Sequence, residues 1–323
     1  MRIKRIILGT AAAALCSTIT MKAEKVVPIS YGDMEHWVTR EITESGIIGG
    51  KTKTVYEIGP TQTIKGEKPY VPTGGSPWET SNVMAKVVGV VKTSNSVFPD
   101  NRPTGGKCCK LTTIMEQCKA LGIVNIEVLV SGSIFLGRMF EPIKSTKSPY
   151  SKMEMGIPFT QRPSALQFDY KVEMPTNSDR LYAPGFGRQK TLPGSDNSEV
   201  YILLQRRWED KQGNIYAKRV GTGRERYNKS TGGWKNGHRI KVKYGDISAD
   251  ADYKDFMGLL PKERSYYARN SKGEMKPVWE VGWDSPDATP THMLVMASAG
   301  CGEAYIGTPG LTLWVDNIAL VYP

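Results

Sequence analysis

The residues in this chain best suited to chemistry are aromatic and planar-polar. Trp208 follows Gln205, Arg206 and Arg207, and Trp279 and Trp283 bracket Glu280. Flat aromatic faces against C–H surfaces, with bidentate polar groups beside them, are what hold a sugar. Seven Trp and fifteen Tyr supply such surfaces amply. Trp208, Arg206, Arg207, Trp283 and Glu280 are therefore the candidate carbohydrate-binding residues. Arg206 and Arg207 are adjacent on an extended stretch, so they face opposite ways. The outward one is placed to grip the carboxylate of an acidic sugar or to pair with a neighbouring acid. Trp279 and Trp314 read as core or rim packing.

Cleaving a glycosidic bond would need two facing carboxyl groups about 5–9 Å apart. Asp169, Glu173, Glu209, Asp246, Glu280 and Asp284 are the candidates, and spacing alone does not choose a pair among them. Other chemistries are excluded more firmly. The chain has no G-x-S-x-G, and Gly221-Thr-Gly223 lacks the third glycine and following helix of a dinucleotide site. Three His (His36, His238 and His292) and no CxxC give no zinc spacing.

Such side chains must be positioned by strands. Leu311, Leu313 and Val315 alternate, and after Asp316-Asn317 the apolar set resumes out of phase at Ile318, Leu320 and Tyr322. That slip predicts a β-bulge at Asp316-Asn317 in a strand buried inside a sheet. Ala165 to Val172 alternates cleanly, with Leu166, Phe168, Tyr170 and Val172 inward and Gln167, Asp169 and Lys171 outward. Glu199 to Trp208, Ile215 to Val220, His238 to Tyr244, Val278 to Trp283 and Thr291 to Ser298 read as further strands. Lys110 to Gly122 fits either a strand or a helical period, with a short helix expected near 115–121. Tyr253 to Leu260 suggests another. The glycine-rich stretch 298–310 is a loop between the last two strands, of the kind that carries a site or lets strands cross.

Short strands at regular spacing, with 33 Gly and 20 Pro spread along 323 residues, argue an all-β sandwich or jelly roll. No linker or fixed repeat is visible, so residues 24–323 read as one domain. Met1-Arg-Ile-Lys-Arg5, the apolar run to Thr20 and Ala23 form a secretory signal peptide over 1–23, too short to span a membrane. Cys16 follows a loose lipobox, but Leu15 is the wrong size before it, so a lipid anchor is not expected. Of the net charge of +11, four basic residues lie in that leader, which leaves +7 for the rest. No basic run has nucleic-acid spacing. An exported chain permits disulfides among Cys108, Cys109, Cys118 and Cys301, with Cys118 able to bond one of the adjacent pair.

Several stretches together resemble a known family: residues 156–171, Gln205-Arg-Arg-Trp208, Arg219-Val-Gly-Thr222, Tyr244-Gly-Asp-Ile247, Pro290-Thr-His292 and Leu313-Trp-Val-Asp-Asn-Ile318. In this order they are similar to the putative carbohydrate metabolism domain of exported Bacteroidetes proteins, over about 130–322 and more weakly before it. The resemblance implies a galactose-binding-like jelly roll and an exported, glycan-handling role at the cell envelope. It brings no established catalytic pair. The two ends, Gly32-Asp-Met-Glu35 with Trp37 and Val315-Asp-Asn-Ile318, are also similar to those of jelly-roll carbohydrate-binding modules. That likeness implies a structural calcium held by Glu35 and Asp316; the alternative is that both bond turn amides. The expectation is a carbohydrate-binding module whose partner is a glycan. The competing expectations are a glycoside hydrolase with two acids on a concave face, and a surface adhesion or structural protein.

Overall fold

The computed structural model describes residues 23–120, 124–176 and 179–323. The leader and Cys16 lie outside the described residues. Strand accounts for 53% and helix for 4%, so the fold is an all-β sandwich.

The first layer is an eight-stranded sheet, and its middle is the Thr312–Tyr322 strand. Ala165–Glu173 pairs along one side of it. The other side is shared, Lys107–Ala120 taking Thr312 to Val315 and Lys25–Pro28 taking Ala319 to Tyr322. A strand flanked this way has no free edge, which is why its apolar residues are buried on nearly every position. The expected bulge is present: Gln167 pairs Ala319 but Asp169 pairs Asp316, and Asn317 sits at φ 51°. Gly32 closes against it, donating no side chain where a Cβ would stand 2.5 Å from the Ile318 carbonyl oxygen. A β-branched side chain does not tolerate the left-handed φ of Asn317. Asn317→Val is expected to cost about 1–3 kcal/mol, read as a lower urea midpoint at unchanged m.

The second layer has ten strands and closes on itself. Pairing runs from His292–Ser298 through Ser198–Glu209, Ile215–Tyr227, Met275–Trp283, Tyr267–Arg269 and Met153–Met155 to Ser133–Met139, which pairs back onto His292–Ser298. Alternation along Ser198–Glu209 then serves two interiors. Val200, Ile202 and Leu204 pack between the layers against Leu313, Val315 and Phe168. Tyr201 and Leu203 turn into the ring with Phe135, Met155 and Leu294.

A separate three-stranded sheet, Thr52–Ile58, Trp37–Thr43 and Gln62–Lys65, packs Trp37 and Ile58 into the main core and is tied down by a buried guanidinium. Arg40 donates to Glu57 at 2.9 Å and to both oxygens of Glu141 at 3.0 and 2.6 Å. Glu141 also accepts the Met84 and Tyr70 amides.

Three local expectations are corrected. Residues 115–120 are not helical; they continue the Lys107–Ala120 strand. β-Branched Thr112, Thr113 and Ile114, with strand partners on both sides, outweigh the 3.6-residue period. The 253–260 stretch contains only the 3-10 turn Asp255–Met257. All four described cysteines are free thiols. Cys118 lies on the same strand as Cys108 and Cys109, roughly 30 Å further along at the rise of an extended chain, so it meets neither.

Candidate functional site

The five residues expected to bind sugar do not share one surface. The Glu280 side chain is wholly buried, with Oε1 accepting Gln205 Nε2 and Arg219 Nε, both at 2.6 Å. Its Oε2 accepts Arg219 Nη2 at 2.5 Å and the Leu260 amide at 2.8 Å. Burial alone would raise the Glu280 pKa, but the Arg219 charge and these bonds hold it below the usual carboxylate range. Arg207 joins the same network through Gln205 Oε1 at 2.8 Å and the Met155 carbonyl at 2.9 Å. Its burial brings the guanidinium down to about 10. Trp283 lies beside Arg219, 5.8 Å from the guanidinium carbon. Arg206 points outward as expected, but it is held by Asp284 at 2.6 and 3.1 Å. Trp208 stacks on Tyr216, and Tyr216 meets Trp279 edge-on. Trp208 and Arg206 therefore belong to an outer face, whereas Arg207 and Glu280 belong to the interior.

The six candidate acids are likewise each engaged separately. Asp169, expected outward, is buried against Arg102 at 2.9 Å. Glu173 pairs Lys171, Glu209 binds Ser271, Asp246 caps the Ser248 amide, and Asp284 pairs Arg206.

The residues at the expected calcium position do not fit the ion. Arg102 is stacked 3.8 Å from the Trp234 ring centroid and reaches Asp316 at 3.1 Å and Asp169 at 2.9 Å. Its guanidinium stands where the cation would need to sit. Glu35 accepts the Lys107 amide at 3.0 Å, which is the turn-amide alternative. Among the described residues, no group of three or more His, Cys, Asp or Glu could hold a metal.

What the fold does bring together is the mouth of the closed ring. A cavity of about 470 Å³ opens there, of the size that takes a small ligand. Its floor is laid by Ser198–Glu209 and Ile215–Tyr227. Glu199, Tyr201, Arg224 and Arg226 project into it because cross-strand partners share a face. Tyr266 and Met296 complete the apolar wall. Glu199 Oε1 accepts Arg224 Nη2 at 2.7 Å, and Oε2 accepts Arg226 Nε at 2.5 Å. Burial raises the Tyr201 and Tyr266 phenols despite the opposing charge of Arg224, so they stay neutral. Two loops form the lips. The 255–261 strap is anchored where Leu260 donates to Glu280, and Phe256 lies 4.6 Å from the Arg226 guanidinium carbon. The 300–306 segment, from the glycine-rich loop singled out in the sequence, forms the other lip.

A family model described as a putative carbohydrate metabolism domain matches residues 61–321. The chain belongs to that family. The match takes in the 130–322 core of the resemblance and much of the weaker stretch before it, and it ties this carbohydrate metabolism domain to carbohydrate chemistry. A search of curated proteins finds no match. A solved structure of a putative glycoside hydrolase from Bacteroides thetaiotaomicron is similar at 14% identity and a TM-score of 0.43. The likeness covers 85% of this chain and 81% of that one, and at this TM-score it decides neither fold nor activity.

The sequence held one overlooked signal for the mouth. Glu199 precedes the apolar run Val200 to Leu204, and Arg224 and Arg226 stand two apart on the neighbouring strand. A charge on a face that must be buried demands a partner, and there it marks a cavity wall.

Proposed function

We propose that this carbohydrate metabolism domain is an exported glycan-binding module of the cell envelope, with its ligand seated in the mouth of the ring. The observation that carries this reading is the wall of tyrosines, methionine and guanidiniums around a sugar-sized cavity whose floor carboxylate is already bonded on both oxygens. Such a wall offers apolar faces to sugar C–H groups and donors to hydroxyls. Glu199, taken by two guanidiniums, serves to hold them rather than to transfer a proton.

The test is an oligosaccharide array followed by calorimetry on the best ligand. Ala304 lines the cavity from the lip loop and is half-buried. Ala304→Trp is expected to weaken binding at least about tenfold while shifting stability by less than roughly 1 kcal/mol. Unchanged binding would move the site elsewhere, with the Trp208–Tyr216 face first in line. The hydrolase reading has one observation in its favour: exposed Asp255 and Glu303 stand on the two opposing lip loops. Reducing-sugar release abolished by Asp255→Asn or Glu303→Gln would replace the binding assignment with that one. An array that returns no glycan at all would favour the adhesion reading.

A further inference from the structure

We infer that the mouth of the ring selects glycans bearing a carboxylate, such as uronic-acid oligosaccharides, through Arg224 and Arg226. This rests on the glycan-binding reading and goes one step past it, to the class of sugar.

The argument is one of unspent donors. Two guanidiniums meet one carboxylate at the buried end of the cavity, so one positive charge there has no counterpart in Glu199. Arg224 is nearly sealed, at 7% exposure, and its Nε is a buried donor without a hydrogen-bond partner. A buried unpaired donor is costly, and such groups in folded proteins call for a ligand or water to complete them. Arg226 spends Nε on Glu199 and remains partly open to the cavity, with a side-chain exposure of 24%. The Phe256 and Tyr201 rings lie against the two guanidiniums, with centroid distances of 4.6 and 5.1 Å. They fix the planes of the two forks and keep water off their faces.

Among the described residues, neither Arg224 nor Arg226 makes an ion pair with an acid other than Glu199. Asp255 and Glu303 are exposed at the lips. Asp196 sits behind the glycine-rich loop, its Oδ1 accepting the Asn197 amide and the Cys301 thiol. A planar carboxylate accepts two parallel N–H bonds from a guanidinium, which neutral hydroxyls cannot do. Glu199 thus acts as a positioning residue: it splays the two arginines and leaves their outer donors facing the ligand.

The experiment compares galacturonate and glucuronate oligomers with their neutral galactose and glucose counterparts by calorimetry. It uses the whole protein and the variants Arg226→Met, Arg226→Lys and, as a charge control on another sheet, Lys53→Met. The expected result is binding of the acidic oligomers at least about tenfold tighter than the neutral ones. Arg226→Met abolishes that preference, Arg226→Lys restores only part of it, and Lys53→Met leaves it unchanged. Glu199 keeps its bond to Arg224 in the Arg226 variants, and circular dichroism melts check that they fold. Neutral and acidic oligomers bound alike, both weakened by Ala304→Trp, would overturn the carboxylate inference and leave the glycan site standing. A preference lost equally in Lys53→Met would overturn it as general surface charge. No binding of either class would overturn both readings together.

Discussion

Glu280→Ala is expected to be the most damaging single substitution in the ring, lowering unfolding free energy by about 3–5 kcal/mol. The Arg219–Glu280 pair is fully buried on both sides. Removing the carboxylate leaves the guanidinium without a counter-charge in low dielectric, with the Thr222 hydroxyl at 3.2 Å as a remaining partner. It also orphans the Leu260 amide, and with it the anchor of the 255–261 strap. Glycan binding should therefore fall alongside stability. The apolar double variant Arg219→Met/Glu280→Leu separates the two effects, because it removes both charges together. It should recover most of the lost stability in urea denaturation while the strap, still unanchored, keeps binding weak. If Glu280→Ala lowers the unfolding free energy by less than about 1 kcal/mol, the pair is not holding the ring closed.

The second large effect is on pH, and its direction is opposite to that of most proteins. Glu57 and Glu141 share Arg40, Glu79 lies close enough to both to feel their charges with Arg138 as its opposing cation, and Glu79 Oε1 has no hydrogen-bond partner. Burial pushes Glu57 up to about 8 against the pull of Arg40 and the Thr80 hydroxyl. Glu79 is raised for the same reason, with the Glu57 and Glu141 charges adding to it. Asp316, also desolvated, is pushed up to about 7. A folded-state pKa above the unfolded one means that the folded chain holds more protons over the interval between them. Stability therefore declines as pH rises from the ordinary carboxylate range to about 8. Glu280, Asp284 and Glu44, held low by their partners despite the pull of burial, act the other way and cost stability only as pH falls below that range. His292, brought down to about 4 by burial and by the nearby Arg207, also acts the other way, and its opposing slope ends near its ordinary value of 6.5. The protein should therefore lose stability, on the order of 1–3 kcal/mol, between about pH 6.5 and pH 8, since a tenfold gain in proton affinity on folding is worth roughly 1.4 kcal/mol. Glu57→Gln should flatten the profile between those values. Equal or greater stability at pH 8 in the unmodified protein would refute this account of the cluster.

How much of this was legible in the sequence depends on the range of the interaction. The bulge at Asp316-Asn317 was readable because a period of two records a slip locally, and the Ala165 to Val172 strand was readable for the same reason. Asp169 was misplaced because alternation says which face a residue takes, not whether a loop such as that of Arg102 covers it. The helix expected near 115–121 failed over its described residues because 115–120 pair with the strand that follows them, Val124–Ser131, and that pairing overrode the 3.6-residue period. The closed ring left no mark at all, since it depends on a short parallel bridge between Glu154 and Tyr267. Without the ring, Arg207 and Glu280 looked like surface residues near Trp208. In the fold they brace the ring's inside, while the cavity is lined by Glu199, Arg224 and Arg226.

The Thr312–Tyr322 strand, set in the middle of its sheet, also imposes an order of events during biosynthesis. Its neighbours at 107–120 and 165–173 leave the ribosome far ahead of it and must wait with exposed edges, open to pairing with other nascent chains. Truncation before residue 312 would thus remove not a margin but a keystone, leaving two half-sheets prone to clump.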